Sequence, residues 1–145
     1  MTVDVSTTVV IARPREQVAD YAMDPANAPS WYVNIKSVEW QTPPPMQVGS
    51  RIAFVAHFLG RRLAYTYEII ELVRGERIVM RTAEGPFPME TLYAFESPSA
   101  GSTRMTLRNR GEPAGFSRTL APFMAGAMRR ANRKDVDKLK ALMEG

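Results

Sequence analysis

The chain has 145 residues, of which 45% are hydrophobic and 23% charged, a composition typical of one globular domain with a buried core. It contains no cysteine and one histidine, His57, which excludes disulfides, thiolate metal sites and multi-histidine metal sites, so we expect no metal and no cofactor. The net charge of +4 is uneven, because residues 1–100 hold 9 Lys/Arg against 11 Asp/Glu, whereas residues 101–145 hold 10 against 4.

The first third of the chain predicts a strand, short helices and a second strand. Apolar and polar residues alternate over Val3–Ile11, as in a half-buried strand. Pro14 suits the first turn of a helix, and Asp24-Pro25 ends that helix. A second short helical piece over Ala26–Trp31 precedes a strand over about Val33–Gln41, which stops before three consecutive prolines.

The next two predicted strands form a hairpin. Ile52–Leu59 and Arg62–Val73 are separated by Gly60-Arg61, and glycine at the first position suits a type II′ turn. That register sets Phe54 opposite Tyr67 and puts a row of apolar and aromatic residues on one face. We therefore expect this face to point toward the core.

Two further hairpins divide their faces in the same way. A turn at Arg74-Gly75 sets Glu68 opposite Arg81 on the outer face, and a Ser/Pro/Gly turn joins Met89–Glu96 to Thr103–Arg110. In this last pair, glutamates again face arginines on one side, while apolar residues and threonine lie on the other. A slip of one residue would bury the charged rows, so the pattern specifies the register.

The C-terminal part predicts a long helix from about Gly115 to Met143, with one apolar stripe and basic residues off it. Pro122 lies inside this range, so we expect the regular helix to start near it or to kink there. The longest charge-free apolar run, Thr119–Met128, is too short to span a bilayer. The N-terminus has no basic segment before an apolar stretch, so we expect no signal peptide and a soluble, cytoplasmic protein.

An antiparallel sheet with one apolar face needs a cover, and the long helix is large enough to provide it. The predicted fold class is therefore α+β, with a curved antiparallel sheet of about seven strands wrapped on a long C-terminal helix. Two short helices lie between the first and second strands. We expect residues 1–145 to form a single domain with a space between sheet and helix.

Several segments together resemble a known family. They are Ala12-Arg13-Pro14-Arg15-Glu16-Gln17-Val18 after the first strand, Pro29-Ser30-Trp31, Tyr67-Glu68-Ile69 before Glu76-Arg77-Ile78, and the final Asp135–Leu142. In this order the chain resembles the helix-grip fold of the START/SRPBCC superfamily, which includes birch-pollen-allergen-like and polyketide cyclase/dehydrase-like proteins. The resemblance implies a deep apolar pocket whose ligands are lipids, polyketides, sterols or plant hormones. It does not imply one chemistry, because the superfamily holds carriers, enzymes and sensors.

The predicted cavity-lining residues share the inner sheet face or the apolar stripe of the helix. We expect these residues to line it: Trp31, Phe54, Ala56, Phe58, Tyr65, Tyr67, Met80, Thr82, Met89, Thr91, Tyr93, Met105, Asn109, Phe116, Leu120, Phe123, Met124 and Ala127. The tyrosine hydroxyls either contact a ligand or are satisfied within the core. Trp31 either caps the mouth of the pocket or packs the short helices onto the sheet.

Other candidate chemical groups fall on the outer face. The predicted register places His57 away from the helix, as a surface histidine. Glu68, Glu90 and Glu96 each have an arginine opposite, which indicates surface ion pairs rather than general acids or bases. No catalytic residue is assigned, and no Gly-rich phosphate-binding loop follows a strand.

The sequence therefore favours binding of a small hydrophobic or amphipathic molecule, since no titratable residues converge on the predicted inner face. The first alternative is a polyketide cyclase/aromatase or dehydratase that depends on Tyr65, Tyr67 or Asn109. The second is a protein-interaction module, or a basic helix carrying Arg129, Arg130, Arg133 and Lys134 that touches nucleic acid. We expect a small-molecule ligand, no nucleic acid, no membrane span, and a monomer or homodimer.

Overall fold

Seven antiparallel strands and a long C-terminal helix dominate the computed structural model, which describes residues 3–112 and 121–145. In chain order the elements are β1 (Val3–Ile11), α1 (Arg15–Met23), a 3₁₀ turn (Pro25–Asn27), α2 (Ala28–Trp31), β2 (Ile35–Trp40), β3 (Arg51–Phe58), β4 (Arg61–Val73), β5 (Arg77–Glu84), β6 (Met89–Ser99), β7 (Ser102–Gly111) and α3 (Ala121–Glu144). The predicted helix-grip architecture, with its two short helices between β1 and β2, is confirmed.

The strands follow the order β1-β7-β6-β5-β4-β3-β2, so that β1 and β2 are the two edges of one sheet. Side chains of β1 alternate strictly between buried and exposed along the strand, as the sequence pattern predicts. None of the helices in the described residues is long and apolar enough to cross a membrane.

The C-terminal helix α3 lies against the inner face of the sheet and also covers the β1 edge. Arg133 donates from Nη2 to the carbonyl oxygen of Thr8 at 2.8 Å, and Lys140 donates from Nζ to that of Val10 at 2.8 Å. These bonds satisfy carbonyl groups that an edge strand would otherwise leave open. The predicted helix start at Gly115 lies outside the described residues, in which α3 begins at Ala121, next to Pro122.

The β3–β4 turn differs from the prediction by one position. It is formed by Leu59 and Gly60, with φ angles of 51° and 73°, which is the positive-φ pair of a type I′ turn. Phe54 therefore lies opposite Tyr65, not Tyr67. Moving the turn by one residue shifts the register by two, which returns every side chain to its predicted face.

The β4–β5 register is confirmed, although its turn is longer than predicted. Val73 pairs with Arg77 across a loop of three residues, in which Gly75 has a φ of 78°. A bulge between Ile69 and Glu71 absorbs the extra residue. Beyond the bulge Glu68 lies opposite Arg81, as predicted.

The β6–β7 hairpin matches the prediction at every predicted pair. Phe95 lies opposite Met105, Thr91 opposite Asn109, and the register shifts only after Glu96. On the inner face these strands join α3 in the main core, whose fully buried members include Met105 and Leu139.

Candidate functional site

The candidate site is a partly open cavity of about 100 Å³ between the inner sheet face and α3. Its walls come from strands β3 to β7, the segment around the start of β2, and the middle of α3. The lining side chains are Tyr32, Asn34, Ile35, Phe54, Ala56, Phe58, Leu63, Tyr65, Tyr67, Met80, Met89, Thr91, Tyr93, Asn109, Met128, Ala131, Asn132 and Asp135. Most are apolar or aromatic, with a few polar groups among them.

The structure brings together most of the sheet residues that the sequence singled out. Those at the cavity are Phe54, Ala56, Phe58, Tyr65, Tyr67, Met80, Met89, Thr91, Tyr93 and Asn109. They come together because side chains two apart on a strand share a face and the sheet curls around α3.

Five other predicted residues do not line the cavity. Met105 and Met124 are fully buried in packing contacts, and Ala127 is buried outside the lining. Phe123 is 66% exposed and points away from the core. The hydroxyl of Thr82 is held by the backbone of Met89, to which it donates at 3.0 Å and from which it accepts at 2.9 Å.

Two further predicted residues, Phe116 and Leu120, lie outside the described residues. The remaining one, Trp31, is fully buried behind the cavity wall, with its ring centroid 4.3 Å from that of Tyr32 and 5.5 Å from that of Tyr93. Of the two roles considered for Trp31, packing of the short helices onto the sheet is the one that this position fits.

Sequence reasoning missed all four described residues of the helix wall, which are Met128, Ala131, Asn132 and Asp135. Their spacing is that of one helix face, and the same face continues to Leu139. The helical spacing indicates that these residues share a face, but Asn132 and Asp135 interrupt the apolar stripe there. It also missed the opposite wall near α2, where Tyr32 lies.

Asp135 brings a carboxyl group to this cavity, where the sequence predicted no converging titratable residues on the inner sheet face. Its side chain is 2% exposed, and Oδ1 accepts a hydrogen bond from the backbone N–H of Val33 at 2.9 Å. Burial raises the pKa of Asp135 to about 7, against the opposing effects of the Val33 N–H and the positive charge of Lys138. The carboxyl group therefore exchanges protons near neutral pH.

The negative charge of Asp135 acts on three tyrosines of the cavity wall, Tyr32, Tyr65 and Tyr93. The hydroxyls of Tyr32 and Tyr93 are 2.8 Å apart and share a hydrogen bond, whereas that of Tyr65 makes none within the described residues. Burial is the main cause that raises the pKa of each of the three, and the negative charge of Asp135 raises it further. All three hydroxyls are therefore neutral at physiological pH.

A second set of polar side chains forms a chain of hydrogen bonds along the cavity wall from β4 to β7. The hydroxyl of Thr91 donates to Oδ1 of Asn109 at 2.7 Å. Thr91 has one hydroxyl proton, so the 2.8 Å contact between its oxygen and the Tyr67 hydroxyl must be donated by Tyr67. Burial raises the pKa of Tyr67 to about 12 in spite of this hydrogen bond.

Two buried nitrogen atoms have no hydrogen-bond partner in the part of the chain that the structure describes. They are Nε1 of Trp31 and Nδ2 of Asn132. Asn132 lines the cavity and is 3% exposed, while Trp31 does not line it. Asn132 thus lines the cavity while its Nδ2 is closed to solvent.

The outer sheet face carries the predicted surface groups. His57 is exposed, and Glu90 forms ion pairs with Arg110 at 2.6 Å and Arg81 at 3.3 Å. The ion-pair partner of Glu68 is Arg51 on β3, at 3.1 Å, and not Arg81. Such exposed pairs contribute little to stability, and none of these groups reaches the cavity.

A second recess of about 330 Å³ lies outside the space between sheet and helix, beside α1 and β2. Trp40, Pro45 and Met46 line it, and Arg74 crosses it to donate to the carbonyl oxygen of Met46 at 2.7 Å. Within the described part of the chain, none of its lining residues has a buried polar atom without a partner. The smaller pocket under α3, whose wall combines aromatic side chains with the buried carboxyl group of Asp135, is the better candidate site. Nowhere in residues 3–112 and 121–145 do three His, Asp or Glu side chains cluster as metal ligands would.

Comparison with known proteins gives one family. A model of the family described as "Polyketide cyclase / dehydrase and lipid transport" matches residues 2–144. The search of curated protein sequences found no match.

Solved structures show the same fold at low sequence identity. An aromatase/cyclase, Zhui, from Streptomyces sp. R1128 superposes with a TM-score of 0.84 at 16% identity, covering 99% of this chain and 94% of that one. A START superfamily protein from Mycobacterium smegmatis gives 0.83 at 16% identity and 97% coverage of both chains. The protein TTHA0849 from Thermus thermophilus gives 0.80 at 22% identity, covering 95% of this chain and 94% of that one. At these identities the likeness shows the fold alone.

Proposed function

Because the chain belongs to the polyketide cyclase/dehydrase and lipid transport family, we propose that it binds a small, mainly apolar molecule in the cavity under α3. The observation that carries this proposal is the composition of the cavity wall. Aromatic and methionine side chains surround a few hydroxyl, amide and carboxyl groups, which is the arrangement that ligand pockets use for affinity and orientation.

The volume of the cavity limits the size of the ligand that it can hold. Its volume of about 100 Å³ is below the roughly 300 Å³ at which typical ligand pockets begin, and is closer to the space that a single aromatic ring fills. Met80, Met89 and Met128 lie in the wall, and unbranched thioether side chains change rotamer more easily than branched ones. We expect one-ring compounds to enter directly and larger ones to require rearrangement of these methionines.

Native mass spectrometry of freshly purified protein, followed by organic extraction, tests the proposal without a choice of ligand. A discrete adduct that extracts as an apolar compound supports it. The matched sample is the Ala131→Leu variant, whose longer side chain fills the cavity. An adduct retained in this variant places the ligand elsewhere and contradicts the proposed site.

A second candidate function is an enzyme of the cyclase or dehydratase kind, and Asp135 favours it. A carboxyl group with a pKa near 7 is suited to both accept and return a proton. Its carboxylate would take a proton from the carbon beside a ketone, the C–H electron pair would form the enolate, and the protonated carboxyl would later return the proton. One solved structure with this fold is named an aromatase/cyclase.

Exchange of the methyl protons of acetophenone in D₂O tests this second function. A catalysed loss of the methyl ¹H NMR signal that increases as the pH rises through about 7, and that disappears in Asp135→Asn, supports it. Exchange no faster than in buffer, with acetophenone shown to bind, leaves binding as the function.

A further inference from the structure

The two oxygens of the Asp135 carboxyl group have different surroundings. Oδ1 accepts the backbone N–H of Val33 at 2.9 Å, whereas Oδ2 forms no hydrogen bond within the described residues. Unlike Nδ2 of Asn132, Oδ2 is not closed to solvent, although the residue as a whole is only 2% exposed. Because Asp135 lines the cavity under α3, the open surface of Oδ2 faces that space.

A cationic ligand would offset the cost of burying this carboxylate. In the described part of the chain, the positive group that acts on Asp135 is Lys138, which is exposed and lies about one turn further along α3. Burial raises the pKa of Asp135 in spite of this charge. A buried carboxylate is costly unless a positive charge is paired with it, and a cation at Oδ2 supplies that charge from within the cavity.

Tyrosine hydroxyls provide further acceptors near this carboxyl group. The charge of Asp135 acts on Tyr32, Tyr65 and Tyr93, which line the same cavity. The hydroxyl of Tyr65 has no hydrogen bond within the described residues and, like Oδ2, is not closed to solvent. The oxygens of Tyr32 and Tyr93 share one hydrogen bond, which leaves acceptor capacity on both. A primary ammonium group has three N–H donors, so this set of oxygens matches it.

Aromatic rings form the adjoining part of the wall. The rings of Phe54 and Tyr65 stack with centroids 5.5 Å apart and planes at 19°, and the ring of Tyr67 meets both edge-on. The faces of such rings attract cations, and the rings also pack against an aromatic ring of a ligand. An ionisable carboxyl group beside several aromatic rings therefore favours a ligand that combines a cation with an aromatic ring.

We propose that Oδ2 of Asp135 and the hydroxyl of Tyr65 form a subsite for an ammonium group, so that the cavity binds small aromatic amines as cations. This inference rests on the proposed binding function and names the ligand class of the same cavity. The ammonium group donates to Oδ2 and to the tyrosine oxygens, while the ring of the amine lies against Phe54 and Tyr67.

Three probes of nearly equal shape test the inference: benzylamine, benzyl alcohol and ethylbenzene. They differ in the group attached to the CH₂ carbon, which is NH₃⁺, OH or CH₃. Because the pKa of Asp135 is about 7, its carboxyl group is mostly ionised at pH 8 and mostly neutral at pH 5.5.

Titrations of the unmodified protein are followed by ¹H–¹⁵N NMR at both pH values. Benzylamine should bind at least about fivefold more tightly at pH 8 than at pH 5.5, whereas the affinities of benzyl alcohol and ethylbenzene should change less than about twofold. At pH 8 benzylamine should also bind about fivefold or more tightly than benzyl alcohol, since a charge-assisted hydrogen bond is stronger than a neutral one.

The Asp135→Asn variant removes the negative charge and keeps an oxygen for the Val33 N–H. At pH 8 it should bind benzylamine at least about tenfold more weakly and ethylbenzene with unchanged affinity. Asp137→Asn, the same substitution on the exposed side of α3, is the matched control and should change neither affinity.

If Asp135→Asn does not fold, the pH dependence of the unmodified protein decides the point. The subsite is overturned, and the proposed function stands, if benzylamine binds equally at both pH values, keeps its affinity in folded Asp135→Asn, or fails to bind where ethylbenzene binds. Benzyl alcohol that binds as tightly as benzylamine at pH 8 also overturns it, because a neutral donor then suffices. Binding of none of the three probes overturns both the subsite and the proposed function.

Discussion

Oδ1 of Asp135 accepts the backbone N–H of Val33 at 2.9 Å, which joins the middle of α3 to the segment between α2 and β2. The contact closes one side of the cavity, since Tyr32 and Asn34, which flank Val33, both line it. This hydrogen bond favours the charged form of Asp135 and lowers its pKa, but burial raises the pKa by more. A neutral oxygen can still accept the Val33 N–H, and the negative charge of Asp135 carries a net desolvation cost.

We expect Asp135→Asn to stabilise the protein at alkaline pH. The carboxyl ionises near 3.8 in an unfolded chain but near 7 in the fold, so the folded state binds the extra proton between these values. Stability from this group is complete below pH 3.8 and is lost as pH rises through 7. In urea unfolding at pH 8, the free energy of unfolding of the variant should exceed that of the unmodified protein by about 2–4 kcal/mol. At pH 5 this difference should be at most about half as large.

The matched control is Asp137→Asn, the same substitution two residues further along α3. Asp137 is exposed and pairs with Arg133 at 3.3 Å, so its loss should change stability by less than about 0.5 kcal/mol. A pH-independent effect of Asp135→Asn would show that the carboxyl is not protonated in the fold and would contradict its raised pKa.

The hydrogen bonds from Tyr67 to Thr91 to Asn109 predict unequal effects of two conservative changes. Tyr67→Phe removes a donor and leaves the Thr91–Asn109 bond intact, so it should cost about 1 kcal/mol or less. Thr91→Val leaves the Tyr67 hydroxyl without an acceptor and Asn109 without a donor, and should cost about 1–3 kcal/mol.

Urea denaturation of the two single variants and of the double variant tests this order. In the double variant the cost should be less than the sum, because Phe at position 67 has no hydroxyl left unpaired. Thr66→Val, on the outward side of β4, is the control and should be nearly neutral. The opposite order of the single variants would mean that Tyr67 is the acceptor.

The faces of the strands and most of their pairing could be predicted because side chains along a strand alternate between the two faces of the sheet. The charged rows with Glu68, Glu90 and Glu96 could not be moved inward, so each strand had one permitted face. The position of the β3–β4 turn was not fixed by that rule. Gly60 fits the second position of a type I′ turn as well as the first position of a type II′ turn, and the two registers differ by two residues.

The observed turn predicts a specific cost for Gly60→Ala. Gly60 has a φ of 73°, with nothing within 4 Å of an added Cβ, so the cost is conformational and should be about 1 kcal/mol. Gly101→Ala also enters open space but has no positive φ, and should be neutral or slightly stabilising. Equal effects in thermal or urea unfolding would contradict the type I′ assignment.

The sheet side of the candidate site was predictable, whereas the helix side was not. An apolar stripe on a helix marks its buried face but does not tell which turns meet a neighbour and which meet an empty space. Met124 belongs to that stripe, yet it fills a separate cluster with Val5 and Phe87. The turns that face the cavity are the ones where Asn132 and Asp135 interrupt the stripe. Polar residues at core positions of a helix were therefore the signal of the site.

Ala131→Leu should block the cavity without unfolding the protein. Ala131 lies in the wall one residue before Asn132, and a longer apolar side chain there enters the space that the ligand needs. Titration with acetophenone should show affinity reduced at least about tenfold, while urea unfolding shows stability unchanged or slightly higher because a void is filled. Ala141→Leu, the same change at an exposed position of α3, should leave affinity unchanged. Full affinity in Ala131→Leu would place the bound molecule outside the cavity under α3, and the recess lined by Trp40 and Met46 would then be the next candidate.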